Sequence, residues 1–165
     1  MENFLEKQQE FFFSFLTDSI DNFLLDRSDE TFYVFALDCT IYEEGEINLY
    51  FNTVDLWQET TDYYTSKNHS TSQLEEMKYN ARDWDENQRF ASLHLFDDWV
   101  EDEQDIETVL DWLCQQMLLL VETDTFERIP KTKDFKVLVY DHDEHVFASQ
   151  ERFEKLTMSD YFQID

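Results

Sequence analysis

Glycine and proline are almost missing from this chain. Gly45 and Pro130 are the only examples in 165 residues. A Gly-rich phosphate loop, a dinucleotide fingerprint and a nucleophile elbow each need glycines where backbone meets ligand or turns sharply, so all three are excluded. A barrel or sandwich with many tight turns is disfavoured on the same ground. The turns must be made mostly by Asp, Asn and Ser. Cysteine is scarce as well: Cys39 and Cys114 stand far apart, each in apolar surroundings. That usage predicts reduced thiols and a cytoplasmic protein. The start Met1-Glu2-Asn3-Phe4 is acidic where a secretory signal would be basic. No apolar run approaches the roughly 20 residues that span a bilayer, so no membrane partner is expected. One such run, Met117 to Val121, reads as the centre of a helix.

The last shortage is of positive charge. There are 12 Lys and Arg against 39 Asp and Glu, a net charge of −27. Bare nucleic acid needs a basic footprint, so direct nucleic-acid binding is excluded. An anionic membrane surface would repel the chain for the same reason. Self-repulsion on this scale opposes compaction, and it favours a cationic partner by steering. The composition is not that of a disordered acidic tail, because 42% of residues are hydrophobic and 17% aromatic, including 16 Phe. The length and this apolar content predict one globular domain over 1–165.

Residues 3 to 26 have helical spacing, with Phe4, Leu5, Phe11, Phe12, Phe15, Leu16 and Phe23 on one broad face and Phe13 and Leu24 off it. Thr31 to Thr40 reads as a strand, Glu43 to Glu46 as a hairpin turn, and Ile47 to Asn52 as the returning strand. In that strand Ile47, Leu49 and Phe51 alternate with Asn48, Tyr50 and Asn52. A helix is expected over 53–65 with Thr53 or Asn52 as its N-cap. A short one follows from Thr71 to Met77, where Ser72 and Glu75 have capping-box spacing. Residues 79–87 read as irregular, and Phe90 to Trp99 fits strand or helix equally. Ile106 to Val121 is a helix with a core stripe of Ile106, Val109, Leu110, Leu113, Met117 and Leu120. Phe135 to Tyr140 reads as a strand, Asp141 to Glu144 as a turn and His145 to Ala148 as a short returning strand. Ser149 is expected to cap a final helix over 151–156. This order predicts an α+β fold, an antiparallel sheet with helices packed on one face.

Three constellations bear on chemistry. Asp141-His142-Asp143-Glu144-His145 has metal-ligand residue types, yet it reads as a polar hairpin tip whose side chains diverge. Either cysteine with His69 or His94 has the composition of a nucleophile and base, but thiols inside apolar elements are usually inert packing. Carboxylate pairs are too numerous among 39 acids for one to stand out. No catalytic residue, metal or cofactor is expected, and no enzymatic activity. The third is the acid run from Asp97 to Glu107, which holds seven acids and no base. Asp97, Asp98, Trp99, Glu101, Asp102, Glu103 and Asp105 are the candidate partner-binding residues, with Trp99 as an aromatic anchor. The competing reading is a solvated loop whose last acids favour the N-terminus of the next helix. The acidic hairpin at Glu43 to Glu46 is the second candidate edge.

The strand Phe32-Tyr33-Val34-Phe35-Ala36-Leu37 with its hairpin, and Tyr79-Asn80-Ala81-Arg82-Asp83-Trp84 after a helix, together resemble an uncharacterised family of small bacterial domains. That family has a long N-terminal helix, a Phe-Tyr-rich strand and a Tyr-Asn-Pro-x-Asp/Glu-Trp element; here Ala81 stands in the proline's place. More broadly, the chain is similar to the small acidic immunity proteins of bacterial toxin–immunity pairs, which bind a toxin domain and block its active site or substrate surface. The resemblance implies no catalytic residues. The expectation is an inhibitor of a cognate toxin with a basic working surface, such as a nuclease. The alternative is a phage- or plasmid-borne nucleic-acid mimic that blocks a DNA-binding host protein.

Overall fold

The computed structural model describes residues 2–96, 100–156 and 161. Helix α1 spans Glu2–Leu24 and leads into strands β1 (Phe32–Thr40) and β2 (Glu46–Thr53). Helices α2 (Val54–Ser66) and α3 (Thr71–Lys78) follow, then short 3-10 turns at Ala81–Asp83 and Glu86–Gln88 and strand β3 (Arg89–His94). Helix α4 (Glu103–Leu120), the single-turn α5 (Asp124–Glu127), strand β4 (Lys131–Asp141) and helix α6 (Phe147–Leu156) complete the order.

The fold is α+β as expected, but the sheet is mixed. Its strand order is β3-β2-β1-β4. β1–β2 and β2–β3 are antiparallel, while β4 lies parallel to β1, with Val34 opposite Lys136 and Leu37 opposite Val139. A parallel neighbour needs a long crossover, and α4 with α5 provides it. The segment 90–94 resolves as edge strand.

Helices cover both faces, not one. On the first face Phe35, Leu37, Cys39, Ile47, Leu49 and Phe51 meet α1 and α4 in the main core. On the second, Tyr33, Val34, Ala36, Leu138 and Tyr140 pack with Ala81, Trp57, Tyr79 and Trp84. The alternation in β2 is as read: Ile47, Leu49 and Phe51 are buried on the main-core face, and Tyr50 points to the other.

Helix α1 departs from its expected stripe. Leu5, Phe12, Leu16 and Ile20 are fully buried, Phe13 packs at the edge of the core, and Phe11 is 54% exposed. At about 100° per residue, Leu16 and Ile20 fall about 40° and 80° from Phe12. Including Ile20 thus turns the stripe toward Phe13 and away from Phe11.

Two end-of-element readings are corrected. The capping box of α3 uses Ser70 and Gln73, not Ser72 and Glu75; Ser70 Oγ accepts from the Gln73 N–H at 3.3 Å and Gln73 Oε1 accepts from the Ser70 N–H at 2.9 Å. The returning strand at His145 to Ala148 does not form. The chain turns at Asp141–Glu144 and enters α6 at once, with the Ala148 N–H donating to His145 O. Ser149 lies inside α6, where its hydroxyl accepts from the Val139 N–H at 2.8 Å. That bond occupies the outer edge of β4, where a returning strand would have paired.

Candidate functional site

Because β1 and β4 run parallel, they end on the same side of the sheet. The segments that leave them are therefore neighbours. The His142 N–H donates to Cys39 O at 2.6 Å and the Ile41 N–H to Asp141 Oδ2 at 3.3 Å, tying the two exits together. The N-terminus of α4 closes the third side. Between them lies an open cleft of about 700 Å³, lined by residues from 40–43, 101–107 and 141–144. Among the described residues its wall includes Thr40, Ile41, the exposed Tyr42 and Ile106, and eight carboxylates (Glu43, Glu101, Asp102, Glu103, Glu107, Asp141, Asp143 and Glu144) with no lysine or arginine.

Three supports make this density of acid tolerable. The first is the α4 N-terminus, whose partial positive charge favours anions. Asp102 is its N-cap, accepting from the N–H groups of Gln104 and Asp105 at 2.9 and 3.0 Å. Asp105 turns back to accept from the Glu101 N–H at 2.9 Å. The second is Arg152 of α6, only 4% exposed beneath the cleft. It donates to both oxygens of Glu144, at 2.5 and 2.9 Å, and to Glu107 at 2.9 Å. Burial works to lower its pKa, but these bonds prevail and hold it above its usual value. The third is backbone: Asp141 accepts from Ile41 and Asp143, which partly offsets the burial that raises its pKa.

The sequence-predicted residues fall as follows. Glu101, Asp102 and Glu103 are exposed and line the cleft. Asp105 is half-buried in the capping turn and does not line it. Asp97, Asp98 and Trp99 lie outside the described residues. Glu43 joins the same cleft from the hairpin. Sequence separation hid two parts. Thr40 had read only as a strand end, Ile41 and Tyr42 as part of no element, and Arg152 only as a helix residue. The absence of any other base around the acid run was the available signal for Arg152.

The run 141–145 disperses. His142 Nδ1 is 3.0 Å from Asp38, Glu144 binds Arg152, and His145 stacks on Phe147 with ring centroids 4.8 Å apart. Among the described residues no three His, Cys, Asp or Glu side chains group to hold a metal ion. Cys39 and Cys114 are both buried in the main core. Burial pushes the Cys114 thiol up to about 12 and Cys39 well above its ordinary value. His69 instead packs on Tyr64, and His94 pairs with Glu46 at 3.3 Å. Among the described residues no helix is long and apolar enough to cross a membrane. Comparison with protein-family models, with curated proteins and with solved structures finds no match for the chain.

Proposed function

We propose that this chain is a protein inhibitor that binds a basic protein surface through the cleft between β1, β4 and the α4 N-terminus. One observation carries the reading. Acids far apart in sequence, Glu43, Glu101 to Glu103 and Asp141, Asp143 and Glu144, share one concave wall that holds no lysine or arginine among the described residues. A cleft of that sign accepts a cationic loop or side chain, and Ile41, Tyr42 and Ile106 give the stem of a Lys or Arg an apolar wall. Such a partner is one whose work requires positive charge. A nuclease toxin fits, because it grips phosphates with basic residues. The chain would then act as the immunity protein of that toxin, covering its working surface with no chemistry of its own. Electrostatic complementarity gives fast association.

The test uses the product of the reading frame next to this chain's gene. That product is expressed alone and with this chain, first in a bacterial host and then as purified proteins. Toxicity relieved by co-expression, with stoichiometric inhibition in vitro, supports the reading. The triple change Glu101→Gln, Asp102→Asn, Glu103→Gln should lower the association rate about tenfold or more at low salt, since charges at a rim act mainly on encounter. A neighbour that is neither toxic nor bound sinks it. Broad competition with DNA for unrelated DNA-binding proteins would instead favour a nucleic-acid mimic.

A further inference from the structure

The wall of the acidic cleft holds one group that can carry positive charge. Among the described residues His142 is the only base that lines it. Its position is fixed from two sides. The backbone N–H donates to Cys39 O at 2.6 Å, and the ring Nδ1 lies 3.0 and 3.3 Å from the two oxygens of Asp38. The Asp38 side chain is 5% exposed and that of His142 is 45% exposed. A wall residue thus turns one ring nitrogen onto a buried carboxyl that does not itself line the cleft. Nε2, on the far side of the ring, faces away from that carboxyl. The other histidines are placed elsewhere: His69 against Tyr64, His94 against Glu46 and His145 against Phe147, none of them in the wall.

We propose that the Asp38–His142 pair regulates the cleft by holding or releasing one proton: with it the cleft binds a basic partner weakly, and without it tightly. The inference rests on the reading of the cleft as a surface for cations. Imidazole is the side chain that changes charge between about pH 5 and 8. Hydrogen-bonded as they are, Asp38 and His142 titrate as a pair. With one proton the pair has no net charge, whether as imidazolium beside carboxylate or as imidazole beside carboxyl. Without it the pair carries one negative charge at the wall. Asp141, Asp143 and Glu144 of the same turn favour keeping the proton. So do Glu101 to Glu103 and Glu107 of α4, with Glu43 of the hairpin. Arg82 opposes them, since its charge acts on Asp38. Arg152 is already bound to Glu144 and Glu107. Tyr50 and Tyr140, beside Asp38, are raised by burial and stay neutral over this range. A partner's cation is drawn by the same acids as the proton, so binding one disfavours the other. Affinity for a basic partner therefore falls as pH falls through the imidazole range. By linkage, a bound partner lowers the pH at which the pair gives up its proton.

The test is an NMR titration of the full isotope-labelled chain at several values between pH 5.5 and 8, at constant low salt. The probe is an acetylated, amidated peptide of glycine, serine and arginine, whose own charge is constant over this range. It should move the amide signals of 41–43, 101–107 and 141–144 saturably. Its dissociation constant should fall about fivefold from the acid to the alkaline end, the effect of one nearby charge in a cleft open to solvent. The ring signals of His142 report the other half of the linkage. Saturating peptide should lower their titration midpoint by about 0.7 pH unit, the logarithm of that fivefold change. The midpoint of His69, outside the cleft, should move much less. His142→Gln removes the titrating ring and should shrink the pH step to less than about twofold. Asp38→Asn keeps a hydrogen-bonding partner but removes the carboxyl that helps hold the proton, so the step should move to lower pH. If His142→Gln misfolds, the displaced step of Asp38→Asn decides the matter. Cleft signals that move with an affinity indifferent to pH, or with the same pH step in the variants, would overturn the proposal and leave the cation-binding reading standing. Affinity that rises as pH falls would overturn it too. Peptide that moves no cleft signal at any pH would remove that reading and this regulation with it.

Discussion

Asp38 is an acid placed where acids are expensive. It sits in the middle strand pair, 4% exposed, opposite Asn48 on β2 and Tyr140 on β4. Burial raises its pKa, and the bond and charge of His142 only partly oppose this. Asp141 is raised by burial too. A carboxyl whose folded pKa is raised binds its proton more tightly in the native state. Its contribution is therefore fully present below the ordinary value of 3.8 and is lost as pH rises through the raised value. Asp38→Asn should accordingly flatten that part of the stability–pH curve and leave the protein at least as stable at pH 8. Thermal melts of both proteins across that window check it. A steeper curve for the variant would show that the pair with His142 outweighs burial. Arg152 is the opposite case, a buried cation whose removal leaves Glu144 and Glu107 uncompensated. Arg152→Met should cost about 3 kcal/mol or more by denaturant unfolding. It should also loosen 141–146, seen as faster amide exchange there than in the strands.

At the scale of elements, the readable ones were those whose own pattern decides them. β2 buries the residues its alternation implied, α4 buries its expected stripe except Ile106, which is half-buried at the cleft, and Thr53 caps α2 by accepting from the Leu56 N–H at 3.2 Å. The misread elements were those settled by a neighbour. Residues 145–148 had a strand's composition, but Ser149 already occupied the edge of β4. The parallel pairing of β4 was not legible, because pairing direction depends on where a crossover returns. The cleft was half legible for the same reason: its acid runs were visible, but their convergence follows from that parallel pair. The N-cap of α4 separates two roles that one residue plays. Asp102→Ala should cost about 1 kcal/mol, since it leaves first-turn N–H groups without an acceptor. Asp102→Asn keeps an equally good cap and removes the charge, so it should hold stability while slowing association with a basic partner. If both variants lose the same stability, the residue acts through charge on the helix terminus and not through its hydrogen bonds.

For the molecule as a whole, the net charge of −27 sets the terms. By chain length the radius of gyration is about 15 Å. The screening length is about 30 Å at 0.01 M salt and about 8 Å at 0.15 M. At low salt, then, every carboxylate feels nearly every other across the whole body. At physiological salt only near neighbours do. The acids are spread along the chain, with net charges of −11, −10 and −6 in successive thirds, so the repulsion is global. The few cations are committed locally: Arg128 to Asp21 at 2.6 Å, Arg27 to Glu30 at 2.9 Å, and Arg152 under the cleft. Added salt weakens the two exposed pairs, Arg128 with Asp21 and Arg27 with Glu30, a little, but each of these contributes at most about 1 kcal/mol, whereas the repulsion is summed over the surface. The melting temperature should therefore rise by several degrees between 0.01 and 0.15 M sodium chloride, read by circular dichroism at pH 7.5. It should then level off, because further salt screens distances already screened. Sodium sulfate would confuse the result, since it strengthens apolar burial by exclusion. Chloride salts of sodium and potassium should give superimposable curves if screening is the cause. A melting temperature that falls over this range would mean that the local ion pairs outweigh the global field.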